Sequence, residues 1–226
     1  MDATCTLKVR RVNKCSKIET VDLELIRTCN CTVLIDGRQV SILRTVPHDL
    51  ELLGIGHTLV SGYRPDTVHV FQASESDYIV NTLTLGRAES YVYRRKPTSI
   101  SRDVVWRLYE KYGRAGEVLH RAVAVTQDGA YICDVEDVHI TGLIYRLVGS
   151  LYVLKRSVQE IIVFLTCNVD EDVLQSLSTI NLVGIVTTGK VTCNAVEYSR
   201  KNNLVLVGDF DPASQTFVIY SGDIAI

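Results

Sequence analysis

Residues 119–152 read LHRAVAVTQDGAYICDVEDVHITGLIYRLVGSLY, and this stretch decides the fold. Its apolar run at 122–125 predicts a strand that is buried on both faces. Asp128-Gly129 is a two-residue turn signal, and residues 130–135 return as a second strand. The first half of the stretch is therefore predicted to be a β-hairpin.

The second half of the stretch predicts a helix that starts at the acidic pair Glu136 and Asp137. Such a pair would lie at a helix N-terminus, where backbone N–H groups are free and the dipole is positive. Apolar residues recur at three- and four-residue spacing, which places them on one core-facing stripe. These residues are Ile140, Leu143, Ile144, Leu147, Val148 and Leu151.

The chain before this stretch is predicted to be rich in strands. Asp36-Gly37 and Asn13 to Lys17 are the expected turns, and Gly62 is expected to close the first helix. Asp49 is the expected cap of the first helix, and Ser101 or Ser99 that of the second. The predicted strands are 4–12, 20–27, 32–35, 39–43, 68–71, 78–85 and 90–93, and the second predicted helix is 101–112.

The chain after this stretch alternates between strands and helices at short spacing. The predicted strands are 161–165, 182–186, 204–207 and 217–220, with helices following Asp170 and spanning 191–200. This alternation predicts a sheet with helices on both faces. We therefore divide the chain into residues 1–115, a β-rich region with a small sheet and two helices, and residues 116–226, an α/β core domain.

Composition excludes several classes of protein. The formal net charge is −2, which is not the charge of a protein that binds duplex nucleic acid. The longest apolar run, residues 161–165, is far too short to span a membrane. The N-terminal residues contain no apolar signal region, so we expect a cytoplasmic protein without a membrane partner.

The seven cysteines are scattered and form no C-x-x-C pair. Their odd number and spacing disfavour a disulfide framework and a structural zinc site. Cys133 and Cys193 are predicted to fill the core. Cys29 and Cys31 are predicted to face opposite sides of a strand, so that they cannot share one sulfur atom or metal.

Several motifs resemble the FdhD/NarQ family of formate dehydrogenase accessory sulfurtransferases. They are His120 before a strand, Asp128-Gly129 at a hairpin, and Glu136-Asp137-Val138 before a helix that continues through Val148-Gly149. Leu43-Arg44-Thr45 followed by Asp49-Leu50-Glu51-Leu52 resembles a second family passage. The resemblance runs from about residue 34 to the C-terminus. It implies an α/β fold with a cytidine-deaminase-like three-layer core and a smaller β-rich subdomain.

The resemblance also implies a function in the maturation of molybdenum or tungsten enzymes. The implied ligand is molybdopterin guanine dinucleotide or a guanine nucleotide, with no metal bound directly. The implied partners are a cysteine desulfurase and a formate dehydrogenase-type molybdoenzyme. We assign cofactor binding to His120, Glu136, Asp137, Thr188, Gly189, Lys190, Phe210, Gln215 and Thr216.

Two of these assignments also have structural interpretations in which no ligand binds. The turn from Thr187 to Lys190 lies between a strand and a helix, where backbone N–H groups favour anions, but such turns are common in α/β proteins. His120, Asp137 and His139 are metal-ligand types at weak spacing, and hydrogen-bonded histidines are the simpler interpretation. Zinc deaminase chemistry is excluded, because residue 122 is alanine and no C-x-x-C exists.

The chain lacks the cysteine that carries the persulfide in the family. The corresponding segment, residues 93–101, contains no cysteine. Cys167 is the candidate substitute, because it precedes a predicted helix whose N-terminus would lower its pKa. The alternative is a half-buried loop cysteine without a role.

Three hypotheses on function follow from these observations. The first is a divergent FdhD-like enzyme that handles sulfur through Cys167. The second is a non-catalytic module that binds a nucleotide or a protein, and the third is a structural subunit without a ligand. Exposed strands of the small sheet make a homodimer an additional expectation.

Overall fold

The structure is a computed structural model that describes residues 4–12, 17–88, 99–113, 118–156 and 159–225. The predicted strand at 90–93 and most of the predicted turn at 13–17 lie outside the described residues. So does most of the segment 93–101, in which the family cysteine is absent.

The described residues form fourteen β-strands and five α-helices. The strands are β1 (Thr4–Val12), β2 (Ile18–Ile26), β3 (Cys29–Ile35), β4 (Arg38–Thr45), β5 (Tyr63–Gln72), β6 (Asp77–Arg87), β7 (Ser99–Ser101), β8 (His120–Thr126), β9 (Tyr131–Asp137), β10 (Ile161–Leu165), β11 (Leu182–Thr187), β12 (Val205–Asp211), β13 (Thr216–Ser221) and β14 (Asp223–Ala225). The helices are α1 (Leu50–Val60), α2 (Arg102–Tyr112), α3 (Ile140–Val153), α4 (Glu171–Leu177) and α5 (Cys193–Lys201).

The main sheet has six strands in the order β13-β12-β11-β10-β8-β9. Strands β10, β11 and β12 are parallel, and the other pairs in this sheet are antiparallel. Apolar residues of α3, α4 and α5 cover one face, and those of α2 cover the other. The predicted sheet with helices on both faces is confirmed, whereas the closer likeness to cytidine deaminases stays a prediction.

A smaller sheet of four strands, in the order β4-β3-β6-β5, packs on α1. Helix α1 crosses α3 at very short range. A Cβ on Gly56 would lie only 1.7 Å from the Tyr145 carbonyl oxygen, so the helices can approach this closely only where Gly56 has no side chain. Gly149 of α3 makes the matching approach, since its Cβ would lie 2.0 Å from the Leu52 carbonyl oxygen. The contact between α1 and α3 therefore joins the small sheet to the main sheet.

Two predicted helix starts differ from the structure. Strand β9 continues through Glu136 and Asp137, because Asp137 still pairs with His120 of β8, and α3 begins only at Ile140. Asp49 precedes α1 with a positive φ of 48° and makes no side-chain cap. By contrast, the side chains of Ser101 and Asp170 accept hydrogen bonds from backbone N–H groups and cap α2 and α4 as predicted.

No helix in the described part of the chain is both long and apolar enough to cross a membrane.

Candidate functional site

One edge of the main sheet collects most of the predicted site residues. The carboxyl ends of the parallel strands β10, β11 and β12 lie there, together with the start of β8 and the end of β9. Open α/β sheets place ligands outside the carboxyl ends of their strands. We call this end of the sheet the carboxyl edge and treat it as the candidate site.

An ion pair between Arg121 and Glu136 lies where β8 and β9 meet this edge. The Arg121 Nε lies 2.7 Å from Glu136 Oε1, and each side chain is 30% exposed. The Thr166 hydroxyl accepts a hydrogen bond of 2.8 Å from the backbone N–H of Arg121, which ties β8 to the end of β10. Glu136 therefore offers a ligand a paired carboxylate rather than an isolated negative charge.

The predicted phosphate-binding turn after β11 is held by hydrogen bonds within the protein. The Thr188 N–H donates to the Leu165 carbonyl (3.1 Å), the Gly189 N–H to the Thr187 hydroxyl (2.9 Å), and the Lys190 N–H to Asn168 Oδ1 (2.8 Å). These amide groups are not free to cradle a phosphate. The cation of Lys190 is the group that this turn can offer to an anion.

Gly189 has a structural reason for lacking a side chain. A Cβ at this position would lie 2.1 Å from the Cys167 carbonyl oxygen, because the turn after β11 packs directly on the turn after β10. The Thr187 hydroxyl donates to the same carbonyl oxygen at 2.8 Å. Close packing of two backbones thus accounts for the glycine that suggested phosphate binding.

Lys190, Asp209 and Tyr220 form a polar chain at the carboxyl edge. The Lys190 Nζ lies 3.1 Å from Asp209 Oδ1, and the Tyr220 hydroxyl donates to Asp209 Oδ2 at 2.5 Å. Hydrogen bonds from Tyr220 and then Lys190 hold the pKa of Asp209 below its ordinary value. Burial and the bond to Asp209 raise the pKa of Tyr220 to about 12, so it remains a hydrogen-bond donor at neutral pH. The Lys190 side chain is 85% exposed and can reach a ligand.

Phe210, Gln215 and Thr216 lie on the hairpin that β12 and β13 form beyond the carboxyl edge. The ring of Phe210 stacks on Tyr109 of α2 at 4.3 Å and also contacts Trp106. Gln215 lies in the turn with a positive φ of 54°. Thr216 shares a hydrogen bond of 2.8 Å with Ser214. Phe210 is therefore partly buried against the core, and the other two residues are placed at an exposed turn.

Asp137 belongs to a buried network rather than to the surface of the site. It is fully buried, and its Oδ2 lies 2.9 Å from the Nε of Arg146, which is 1% exposed. Arg146 also donates to the Thr45 hydroxyl (2.9 Å) and to the backbone carbonyls of Val46 (2.8 Å) and His48. Thr45 in turn donates to Asp137. Protein donors occupy Asp137, so the structure does not place it where a ligand could bind.

Sequence reasoning missed Arg146. The signal was present, because Arg146 is the single charged residue in the otherwise apolar or neutral helix ITGLIYRLVGSLYV. A charge inside such a helix requires a buried partner. The charged partner, Asp137, is only nine residues away, but the network as a whole could not be identified from the sequence, since the Thr45 hydroxyl is 101 residues from Arg146.

A cleft of about 930 Å³ opens on the helical side of the carboxyl edge. It lies between the start of α3, helix α4 and the end of α1. His120 and His139 both line it, with the polar side chains of Thr141, Asp172, Gln175 and Ser178. Among the described residues, no group of three His, Cys, Asp or Glu side chains could hold a metal ion. The cleft has a mixed polar and apolar lining, and its volume lies within the range of small-molecule sites.

Cys167 lies in an environment opposite to the one that a reactive thiol requires. It is 1% exposed, and burial raises its pKa to about 12. The expected lowering by the N-terminus of α4 is thus outweighed by the loss of water around the sulfur. In this structure Cys167 is a buried neutral thiol.

Cys29, Cys31 and Cys193 also differ from the predictions, whereas Cys133 packs against the main core as predicted. Cys29 and Cys31 face the same side of β3, because residues two apart in a strand share a face, and both are buried against α1. The predicted opposite orientation is wrong. Cys193 is exposed at the first residue of α5 rather than buried, and Cys133 is partly buried.

Comparison with known proteins shows a relationship of fold without a relationship of sequence. No family model matches the chain, and no curated protein matches its sequence. A solved structure from Desulfotalea psychrophila, provisionally named a formate dehydrogenase accessory protein, superposes with a TM-score of 0.77 at 12% sequence identity. The superposition covers 98% of each chain. The similarity therefore extends over nearly the whole chain.

Proposed function

We propose that this protein is an accessory protein of a formate dehydrogenase-type molybdenum or tungsten enzyme. We further propose that it binds the guanine nucleotide part of molybdopterin guanine dinucleotide at the carboxyl edge. The observation that carries the proposal is the likeness of fold, along the whole chain, to the Desulfotalea protein with its provisional accessory name. The family motifs in residues 43–52 and 120–149 support the same role.

The side chains of the carboxyl edge suit a phosphorylated ligand, whereas the backbone amides of its turn do not. Lys190 supplies an exposed cation, and Tyr220 holds the carboxylate beside it. The cleft lined by His120 has a volume within the usual range of about 300–1,000 Å³ for ligand sites. Since the backbone amides of the turn are already bonded, the phosphates would be bound by side chains. The role that this arrangement favours is binding rather than covalent catalysis.

Binding of GDP tests the nucleotide part of the proposal. Titration calorimetry should detect GDP, and Lys190→Glu should weaken it about tenfold or more, since hydrogen bonds to charged groups contribute about 1.5–3 kcal/mol. Lys201→Glu is the matched control, because this lysine lies in the last turn of α5, away from the edge. Absence of GDP binding at millimolar concentration would refute the nucleotide site.

The accessory role itself is tested in the source organism. Deletion of the gene should abolish most formate dehydrogenase activity without reducing the amount of that enzyme. Re-expression of the native chain should restore the activity. An unchanged activity in the deletion strain would refute the accessory role, even if GDP binds.

Sulfur handling is a second candidate function, and the exposed thiol of Cys193 favours it. After incubation with a cysteine desulfurase and cysteine, we expect any gain of one sulfur atom in intact mass to disappear in Cys193→Ser. The gain should persist in Cys167→Ser, because the Cys167 thiol is buried and neutral. Loss of the gain in Cys167→Ser alone would contradict this assignment.

A further inference from the structure

A buried histidine, His57, lies where the small sheet is connected to the main sheet. It belongs to the last turn of α1, next to Gly56, where this helix crosses α3. The residue is 7% exposed, and its ring meets the ring of Tyr145 edge-on, with 4.8 Å between the ring centroids. We call the contact of α1 with β4 and α3 the joint. His57 is therefore an ionisable group inside the joint.

Two serine hydroxyls hold the imidazole of His57 in place. The Ser41 hydroxyl of β4 lies 2.9 Å from Nε2, and the Ser61 hydroxyl at the end of α1 lies 3.3 Å from Nδ1. In a neutral imidazole one nitrogen donates a hydrogen bond and the other accepts one, and a hydroxyl can serve either nitrogen. The neutral ring is thus hydrogen-bonded at both nitrogens and links β4 to α1.

The apolar cluster between α1 and the small sheet provides no carboxylate to balance a charged imidazole. Its cysteines and Tyr145 remain neutral, because burial raises their pKa values. Strands β5 and β6 present only uncharged residues to α1, and these are Val68, Val70, Tyr78, Val80 and Thr82. An imidazolium in this cluster would therefore lose water without gaining an anionic partner.

The charged groups around the cluster do not stabilise an imidazolium either. Arg38 lies on the α1 side of β4, since its cross-strand partner is buried there, but it is exposed and is itself a cation. From α3, Arg146 is buried and already bound to Asp137. The charged groups at the opposite end of α1, at least about 9 Å along the helix, are His48, Asp49 and Glu51.

Loss of water is consequently the main influence on the charge of His57. Burial lowers its pKa below the ordinary value of about 6.5, and a backbone hydrogen bond opposes this effect only in part. The neutral ring is the form that packs in the folded protein. Its contribution to stability is complete above the pKa of the unfolded chain, and it is lost as the pH falls toward the lower pKa of the folded chain.

We propose that His57 makes the joint sensitive to acid, so that its protonation loosens α1 from β4 and α3 while the main sheet stays folded. The residues that pack α3, α4 and α5 on the main sheet form an apolar cluster of their own, which does not include the small sheet. Local opening of one unit while another remains folded is common in proteins. The proposal does not depend on a nucleotide at the carboxyl edge.

Urea denaturation of the native chain and of His57→Gln tests the proposal. Between pH ~7.5 and pH ~5, protonation of this one histidine should raise the unfolding equilibrium constant by up to about thirtyfold. His57→Gln should lose this part of the pH dependence, because glutamine can bind Ser41 but does not titrate. His69→Gln, on the exposed side of β5, is the matched control and should keep the pH dependence of the native chain. A pH dependence that is the same in His57→Gln as in the native chain would overturn the proposal.

Two measurements on the native chain test the joint without a substitution. NMR titration of the His57 ring should give a midpoint below about 6.5, and a midpoint at or above this value would contradict the proposal. Hydrogen exchange in mild acid, corrected for the intrinsic effect of pH, should become about tenfold faster or more in α1 and β4 but not in β10 and β11. Equal acceleration in all four elements would overturn the assignment of the effect to the joint.

Discussion

Replacing Arg146 with alanine is expected to lower the free energy of unfolding by about 3–5 kcal/mol. The substitution leaves the carboxylate of Asp137 fully buried without its cation, and breaking one side of a buried pair costs about this much. It also removes the donors to Thr45 and Val46, which connect the end of β4 to α3. Urea denaturation measures the loss. At roughly 2–4 °C per kcal/mol, the melting temperature should fall by about 6–20 °C.

The matched control for this prediction is Arg121→Ala. Arg121 also pairs with a carboxylate, that of Glu136, but both side chains are 30% exposed and partly screened by water. Surface pairs contribute about 0–1 kcal/mol, so the control should lose far less stability. If the two variants were equally stable, the buried network would not be the link between the sheets that the structure indicates.

Replacing Gly56 with alanine is expected to lower the free energy of unfolding by about 1–3 kcal/mol, although alanine is the better helix former. The new Cβ would lie 1.7 Å from the carbonyl oxygen of Tyr145. Since that neighbour is backbone, no side chain can rotate away, and α1 must move from α3. Thermal unfolding and urea denaturation both measure the effect.

Gly54→Ala is the control in the same helix. Its Cβ would meet the Cγ1 of Val80 at 2.4 Å and the Thr82 hydroxyl at 3.2 Å, which are buried side-chain atoms rather than backbone. The loss of stability should therefore be smaller than for Gly56→Ala. The reverse order would show that α1 is positioned by the small sheet rather than by α3.

The candidate site was only partly predictable from the sequence. The strand ends that carry His120, Glu136 and Lys190 do meet at one edge: the carboxyl ends of the parallel strands gather there, and the antiparallel strand β8 begins at the same edge. The accessibility of each group was not predictable. Arg146 covers the buried carboxylate of Asp137, and the amides of the turn after β11 donate to the Leu165 carbonyl, the Thr187 hydroxyl and Asn168.

For the cysteines, too, the sequence predicted the position along the chain but not the accessibility of the side chain. Sequence position placed Cys167 after a buried strand and before α4, and both statements hold. Its pKa depends instead on how much water the surrounding elements exclude, and that burial raises the pKa to about 12. Cys193, which has helical neighbours much like those of a core cysteine, is exposed because it lies on the outer side of the first turn of α5.

The sequence by itself determined the local elements of this protein. Alternation with period two specified the outer strands, and short apolar runs specified the buried ones. Apolar residues at three- and four-residue spacing specified α3, and Asp36-Gly37, Ser101 and Asp170 specified turns and caps. These features depend on residues that are only a few positions apart, so they can be predicted from the sequence alone. Tertiary structure alone decided where β9 ends, how α1 meets α3, and which polar groups remain accessible. Those outcomes depend on close packing and on hydrogen bonds between residues far apart, such as Thr45 and Arg146, which only the folded chain brings together.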